Sequence, residues 1–168
     1  DRESIRTVQR MIQDSYEKFV IDGWVEASES TDGVLNWSGK QLSGYIVERL
    51  DEGKVTNSSH LCGLTTVNLS KNLLGEQFNQ IEELVDKFGK LLASIPSLTF
   101  LDISGNGMDS KGMAHLTTAL IQHEIKLTSL ACDGLHVSPS KDPFLNLGMV
   151  NANAAQLLAM VLRNRGPL

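Results

Sequence analysis

Aromatic residues, cysteines and long apolar runs are all scarce in this chain. Aromatic side chains make up 5% of its 168 residues, although hydrophobic residues reach an ordinary 41%. This low aromatic content is expected of a protein whose core consists of many small leucine-lined layers and not of one large core. No run of about 20 apolar residues is present, so we expect no membrane-spanning segment. The length suits one domain with a sizeable core.

The chain also lacks an excess of positive charge. Its net charge of −5 argues against nucleic acid or an anionic membrane surface as the main partner. Its two cysteines, Cys62 and Cys132, are placed too far apart in the expected fold for a disulfide. Reduced cysteines favour a cytoplasmic location. Because the chain starts at Asp1 without Met or a signal-like segment, we expect it to be a fragment of a longer protein.

The stretch from Leu98 to Leu120 organises the rest of the chain. Leu98, Leu101 and Ile103 alternate with outward-facing positions, as in a short strand. Residues 104–107 turn the chain, and Asp109 or Ser110 can then cap a helix. The stretch therefore predicts a strand, a turn and a helix within about two dozen residues.

This unit recurs along the chain. The spacing of Leu98, Leu101 and Ile103 is repeated earlier by Leu64, Val67 and Leu69, and later by Leu127, Leu130 and Cys132. A weaker copy comes first, where Leu35, Trp37 and Leu42 stand in register with Val67, Leu69 and Leu74. Four units at intervals of about 30 residues indicate a repeat array.

The spacing resembles the leucine-rich repeat, L-x-x-L-x-L-x-x-N-x-L, in its longer, ribonuclease-inhibitor-like subclass. The resemblance implies an α/β solenoid with short parallel strands on the concave side and helices on the convex side. A βαβ sheet is the rival interpretation. The pattern departs from the family where Asp32 replaces the first Leu and where Lys40 and Leu135 replace the Asn that satisfies backbone groups in the turn. Units one and four must therefore close their turns differently.

The predicted organisation is a capping helix and loop over residues 1–31, followed by repeats over 32–168, divided as 32–63, 64–97, 98–126 and 127–164. Apolar residues from Ile5 to Val20 form one stripe on a helix that we expect Asp22 and Gly23 to end. Such a helix would cover the first layer of a solenoid, or alternatively dock on a partner. Trp24 is expected to pack under this cap.

Two later segments also carry predictions. Residues 53–63 and 138–143 are expected to be loops. The last helix, from about Met149 to Arg163, is apolar almost all round and is expected to meet a neighbour, either further repeats or a second copy. The open fourth strand offers another route to assembly.

No motif supports catalysis, a metal or a cofactor. The stretch from Asp102 to Asp109 imitates an EF-hand calcium loop, but Met113 stands at the position of the bidentate Glu. The same stretch imitates a phosphate loop, although Gly112 replaces the magnesium-binding hydroxyl. His60 and Cys62 lack a second ligand pair for zinc. We therefore expect a protein without enzymatic activity and without a cofactor.

The outward strand positions remain as a candidate binding surface. The expected protein-binding residues are Asn36, Ser38, Thr66, Asn68, Ser70, Phe100, Asp102, Ser104, Ser129 and Asp133. Phe100 is their only large apolar member and a candidate anchor for a partner. The expected function is a protein-interaction scaffold that binds a protein partner through the concave face. The alternatives are a fragment of a regulator of a small GTPase or of actin, and a homodimer formed through the C-terminal helix.

Overall fold

The computed structural model describes residues 2–27, 33–51, 63–137, 144–145 and 152–167. Over these ranges the fold is mixed α/β. The helices are α1 (Arg2–Ala27), α2 (Ile46–Asp51), α3 (Gly75–Phe78), α4 (Glu82–Ala93), α5 (Ser110–Gln122) and α6 (Ala152–Asn164). The strands are β1 (Val34–Asn36), β2 (Thr66–Asn68), β3 (Phe100–Asp102), β4 (Ser129–Cys132), β5 (Leu135–Val137) and β6 (Phe144–Leu145).

The six strands form one sheet in chain order, and β1 to β4 are parallel. Leu35 lies beside Val67, Val67 beside Leu101, and Leu101 beside Leu130. These are the neighbours that the repeat spacing predicts, so the predicted register is confirmed. The second predicted row is Leu69, Ile103 and Cys132, and all three are buried in the same core.

Beyond β4 the sheet departs from the expected pattern. β5 pairs with β4 antiparallel, and β6 pairs with β5 antiparallel. A short loop of Asp133 and Gly134 joins β4 to β5, and Gly134 has a φ of +84°, a conformation that glycine adopts without strain. The four predicted strands are therefore parallel as expected, and β5 and β6 are two further antiparallel strands that the repeat pattern does not predict. The expected open edge of the fourth strand is wrong, because β5 covers it.

The helices α2, α4, α5 and α6 pack against the buried face of the sheet, each beside the next along the chain. α5 begins at the predicted position, since the Asp109 carboxylate accepts hydrogen bonds from the backbone N–H groups of Lys111 and Gly112, both at 2.9 Å. Two helices, α3 and α4, lie between β2 and β3, and Ile81 between them is extended. No helix within the described ranges is long and apolar enough to cross a membrane.

Two buried asparagines hold the turns that follow the parallel strands. The Asn72 side chain is 4% exposed, and its Oδ1 accepts hydrogen bonds from the N–H groups of Lys40 at 2.9 Å and Leu42 at 3.1 Å. Its Nδ2 donates to the carbonyl oxygens of Trp37 and Leu69, both at 2.8 Å. Asn72 therefore satisfies backbone groups in the turn of the first unit, where Lys40 stands in place of an Asn, as well as in its own turn.

Asn106 repeats this arrangement one unit later. Its Oδ1 accepts from the N–H of Leu74 at 3.2 Å, and its Nδ2 donates to the carbonyls of Leu69 and Ile103 at 3.0 and 2.8 Å. Each asparagine thus bonds the turn of its own unit and the turn of the unit before it. The two side chains connect neighbouring units through their backbones.

The N-terminal helix differs from the expectation in two respects. It continues through Asp22 and Gly23 to Ala27. The first four residues of its apolar stripe are not buried, since Ile5, Val8, Ile12 and Tyr16 are 58%, 55%, 64% and 40% exposed. These residues do not cover the first layer of the sheet. The side chains of Phe19, Val20 and Trp24 lie outside the described part of the chain.

The last helix packs with one face only. Ala154, Leu157 and Val161 of α6 are buried, whereas Leu162 is 42% exposed. Several predictions fall on residues outside the described ranges. These are the loops expected at 53–62 and 138–143, the His60 and Cys62 pair, and the start of the last helix at 149–151.

Loss of the Asn72 amide should destabilise the fold strongly. In Asn72→Ala the N–H groups of Lys40 and Leu42 and the carbonyl of Trp37 lose their hydrogen bonds to the side-chain amide, which should lower the free energy of unfolding by about 2–4 kcal/mol. Urea denaturation measures this change. Asn36→Ala is the matched control, because that exposed side chain makes one local hydrogen bond and should change stability by less than about 1 kcal/mol. Equal losses in both variants would contradict the role of Asn72.

A hydrogen-bonded carboxylate between neighbouring helices should make stability depend on pH. Asp86 of α4 contacts Lys90 at 2.9 Å and His123, which follows α5, at 2.7 Å. The hydrogen bonds from Lys90 and then His123 lower the pKa of the Asp86 carboxyl below its usual value of 3.8. A lowered pKa in the folded state stabilises the fold above the unfolded pKa, and this stabilisation is lost as the pH falls through the folded pKa.

Asp86→Asn should therefore cost up to about 1 kcal/mol in the free energy of unfolding at pH 7, and the difference from the native chain should be smaller at about pH 3, where protonation of the carboxyl begins to remove the stabilisation. Urea unfolding at the two pH values tests this. Glu83→Gln is the control, because Glu83 is 81% exposed and lies 3.7 Å from Lys87. A difference between Asp86→Asn and the native chain that is equally large at low pH would contradict the assignment.

Candidate interaction surface

The sheet face opposite the core carries the expected binding residues in two rows. In the first row Val34, Thr66, Phe100 and Ser129 lie side by side on neighbouring strands. In the second row Asn36, Asn68, Asp102 and Ala131 lie side by side. The parallel register thus brings together residues that are one repeat unit apart in the chain. We call the part of this face on β1 to β3 the strand face.

Local hydrogen bonds hold the polar residues of the second row in place. The side-chain Oδ1 atoms of Asn36, Asn68 and Asp102 each accept a hydrogen bond from the backbone N–H two residues later, at 3.0–3.1 Å. Asn68 and Asp102 also accept from the hydroxyls of Ser70 and Ser104, both at 2.7 Å. A residue with these bonds has fewer rotamers available, so the row is ordered before any partner arrives.

The same bonds leave one polar atom of each side chain without a partner among the described residues. Among the described residues, the Nδ2 groups of Asn36 and Asn68 donate no hydrogen bond. The Oδ2 of Asp102 accepts none among them either. Asn36 is exposed, and the other two are half-buried. The row therefore offers two donors followed by one charged acceptor.

Phe100 lies half-buried at the centre of the first row, between Thr66 and Ser129. Val34, at the end of that row, is 44% exposed. Two apolar side chains thus stand beside the polar row. Of the expected site residues, Ser38, Thr66 and Ser104 are also half-buried, so each presents part of its surface.

Two of the expected site residues are not accessible. Ser70 is 5% exposed, and because its hydroxyl donates to Asn68, the Ser38 hydroxyl 2.8 Å away donates to Ser70. Ser129 is 1% exposed, and its hydroxyl is buried without a hydrogen-bond partner within the described residues. All four residues of β4 are buried. β4 therefore adds no accessible side chain to this face, and the expectation that Ser70 and Ser129 point into solvent is wrong.

Asp133, another of the expected binding residues, bonds to the protein's own backbone. Its Oδ1 accepts from the N–H of Gly105 at 2.6 Å and its Oδ2 from the N–H of Met108 at 3.4 Å. Met108 occupies the same place in its unit as Leu74 and Leu42, whose N–H groups bond to Asn106 and Asn72. Asp133 thus accepts the hydrogen bond that the asparagine of a regular fourth unit would accept. Leu135 occupies that asparagine position, and Asp133 lies two positions before it.

Sequence reasoning missed this role, yet a signal for it was present. Asp133 and Gly134 form an Asp-Gly pair between alternating apolar residues, which is a strong indication of a β-hairpin. A hairpin at this position shifts the capping side chain from position 135 to position 133. The repeat pattern instead places the residue that closes the turn at Leu135.

Reactivity and metal binding near the strand face depend on Cys132 and on the acidic residues there. Burial raises the pKa of the Cys132 thiol to about 12, with further contributions from the negative charges of Asp133 and Asp102. The thiol is therefore protonated and a poor nucleophile at neutral pH. Among the described residues, no three His, Cys, Asp or Glu side chains are grouped closely enough to hold a metal ion.

Comparison of the chain with protein-family models, with curated proteins and with solved structures gives no match. A functional assignment therefore depends on the geometry and chemistry of the strand face.

The capping role of Asp133 can be separated from its charge. Asp133→Ala removes both acceptor atoms and should lower the free energy of unfolding by about 1–3 kcal/mol, whereas Asp133→Asn keeps an oxygen for Gly105 and should cost less. Urea denaturation compares the two variants. Equal losses would show that the carboxylate is needed for its charge and not as a cap for the turn.

Proposed function

We propose that this chain is a leucine-rich-repeat solenoid of the ribonuclease-inhibitor-like subclass that serves as a non-catalytic protein-interaction scaffold. Three features support the repeat interpretation. The parallel strands keep the predicted register, the two asparagines connect successive turns, and the turns share one backbone conformation. Gly39, Lys71 and Gly105, at matching positions of three units, all have a left-handed φ between +57° and +69°.

The strand face is the proposed binding surface. The observation that carries this proposal is the ordered row of Asn36, Asn68 and Asp102, whose free polar atoms are fixed by bonds to their own strands. Fixing a polar surface before binding reduces the entropy lost on association. Phe100 and Val34 add apolar contact area beside the row.

The chemistry of the row describes the partner. A protein that fits it presents hydrogen-bond acceptors to Asn36 and Asn68, a donor or a positive charge to Asp102, and an apolar side chain to Phe100. The proposed scaffold acts in the cytoplasm, where the free and buried thiol of Cys132 stays reduced.

Substitutions on the strand face should abolish partner binding without unfolding the chain. Phe100→Asp removes the apolar anchor, and Asp102→Lys reverses the charge of the row. Each should weaken recovery of the partner by at least about tenfold, since central interface residues contribute about 2 kcal/mol or more. Asp102→Asn keeps the acceptor for Ser104 and removes only the charge, so its effect reports binding rather than folding.

The measurement is quantitative affinity capture from cell extract, with thermal unfolding of each variant recorded in parallel. Thr118→Asp and Gln122→Lys introduce the same charged side chains at exposed positions of α5, on the other side of the molecule, and serve as controls. A partner that is lost with the α5 variants and retained with the strand-face variants would overturn the proposal.

A further inference from the structure

The carbonyl groups that come just before the parallel strands are bonded in a repeating way. The Gly33 carbonyl accepts hydrogen bonds from the backbone N–H groups of Thr65 and Thr66, at 2.8 and 3.1 Å. The same bonds recur one and two units later, at 2.9–3.0 Å, where the Thr65 carbonyl accepts from Thr99 and Phe100 and the Thr99 carbonyl accepts from Thr128 and Ser129. Each of these carbonyls is therefore satisfied by the backbone of the following unit.

The carbonyl of Thr128, just before β4, belongs to the same series but has a different partner. Among the described residues no further parallel strand follows β4, because β5 pairs with it antiparallel. The Thr128 carbonyl instead accepts a hydrogen bond from the side chain of Arg165, whose Nε lies 2.8 Å away. The guanidinium of Arg165 thus takes the place that backbone N–H groups of the next unit take in the three earlier units.

Asn164, the last residue of α6, bonds to the segment that leads into β4. Its Nδ2 donates to the carbonyl oxygens of Ile125 at 3.2 Å and Leu127 at 2.9 Å. Both of these residues are buried, so an unpaired carbonyl there would be costly. Asn164 and Arg165 are themselves half-buried, and we call this pair of side chains the clasp.

The end of α6 holds the clasp in position. Val161, one turn earlier, is buried in the core and accepts a hydrogen bond from the backbone N–H of Arg165 at 3.3 Å. Gly166 follows with a φ of +79°, the left-handed conformation in which glycine commonly ends a helix. The two side chains of the clasp therefore extend from a helix end that is already fixed against the core.

We propose that the clasp is a closing device that ends the repeat array at β4. The outer side of the fourth unit is covered by the chain itself at two places where units otherwise meet. β5 pairs with the edge of β4, and Arg165 bonds the carbonyl before it. Another unit or a second copy of the chain would have to displace both to stack on β4. This end of the sheet therefore takes no part in assembly, and the strand face remains free for a partner.

The hydrogen bond of Arg165 can be observed directly by nuclear magnetic resonance. At neutral pH the Nε–H of Arg165 should exchange with water at least about tenfold more slowly than the Nε–H of Arg163, which is exposed on the same helix. A scalar coupling from the Arg165 Nε–H to the Thr128 carbonyl carbon would identify the acceptor. Equal exchange rates for the two arginines would overturn the proposal.

Loss of the clasp should release α6 from the last unit. Arg165→Lys keeps the positive charge without the planar Nε–H, and Asn164→Ala removes the amide. In the double variant the backbone amides of α6 should exchange at least about tenfold faster than in the native chain. If the double variant does not fold, Arg165→Lys alone supplies the measurement, with an expected increase of at least about threefold.

The matched controls make the same chemical changes at exposed positions of α6. Arg163→Lys and Gln156→Ala should change the exchange of the α6 amides by less than about twofold, since their side chains lie in solvent. Faster exchange of equal size in the controls and in the clasp variants would show that the helix itself is weakened, and would overturn the role of the clasp.

The last test addresses assembly. Leu162→Glu places a charge on the exposed side of α6, and sedimentation equilibrium compares its mass with that of the native chain of 18.4 kDa. Equal association states for the two chains, whether monomers or oligomers, are expected if this end is closed. An oligomer that Leu162→Glu dissociates would show that a second copy stacks on α6, and would overturn the proposal.

Discussion

The need to satisfy backbone groups in the buried turns is the constraint on which the rest of this structure depends. Parallel strands of three residues each end in a turn whose N–H and C=O groups face the interior. An unpaired backbone group in that position costs about as much as a lost hydrogen bond and its desolvation. Asn72 and Asn106 meet this need with one amide each, because an amide offers a donor and an acceptor at the same time.

These amides also fix the distance between neighbouring units. Each one bonds to its own turn and to the turn before it, so a shift of one unit against the next would break bonds on both sides. The strands are therefore held in a register that places Asn36, Asn68 and Asp102 in one row. The alignment of the candidate binding row therefore depends on hydrogen bonds made by buried side chains in the turns. For this reason substitution of the buried Asn72 is expected to lower the free energy of unfolding much more than substitution of the exposed Asn36.

The two ends of the sheet are treated differently by the chain. At the β4 end, the strand turns back as a hairpin and β5 covers the edge that a parallel strand would expose. Asp133 supplies the acceptors that an asparagine of the fourth unit would otherwise bring. At the β1 end, α1 is attached through its polar side and keeps its apolar stripe in solvent. The β4 edge is thus covered by the chain itself, whereas at the β1 end the apolar stripe of α1 is exposed.

The sequence alone determined the repeating part of the fold. The alternation of leucines within each unit sets which side chains face the core, and the near-constant interval between units sets which strands are neighbours. The row through Leu35, Val67, Leu101 and Leu130 could therefore be predicted residue by residue. Most of the strand face follows from the same alternation.

Tertiary structure decided whatever depends on contacts between units. Three features depend on neighbouring elements that no local pattern describes. They are the burial of Ser129, the use of Asp133 instead of Leu135 to close a turn, and the direction in which the apolar stripe of α1 faces. A hydrophobic period shows that a helix has an apolar side, but the partner of that side is chosen by packing, which is a property of the folded molecule.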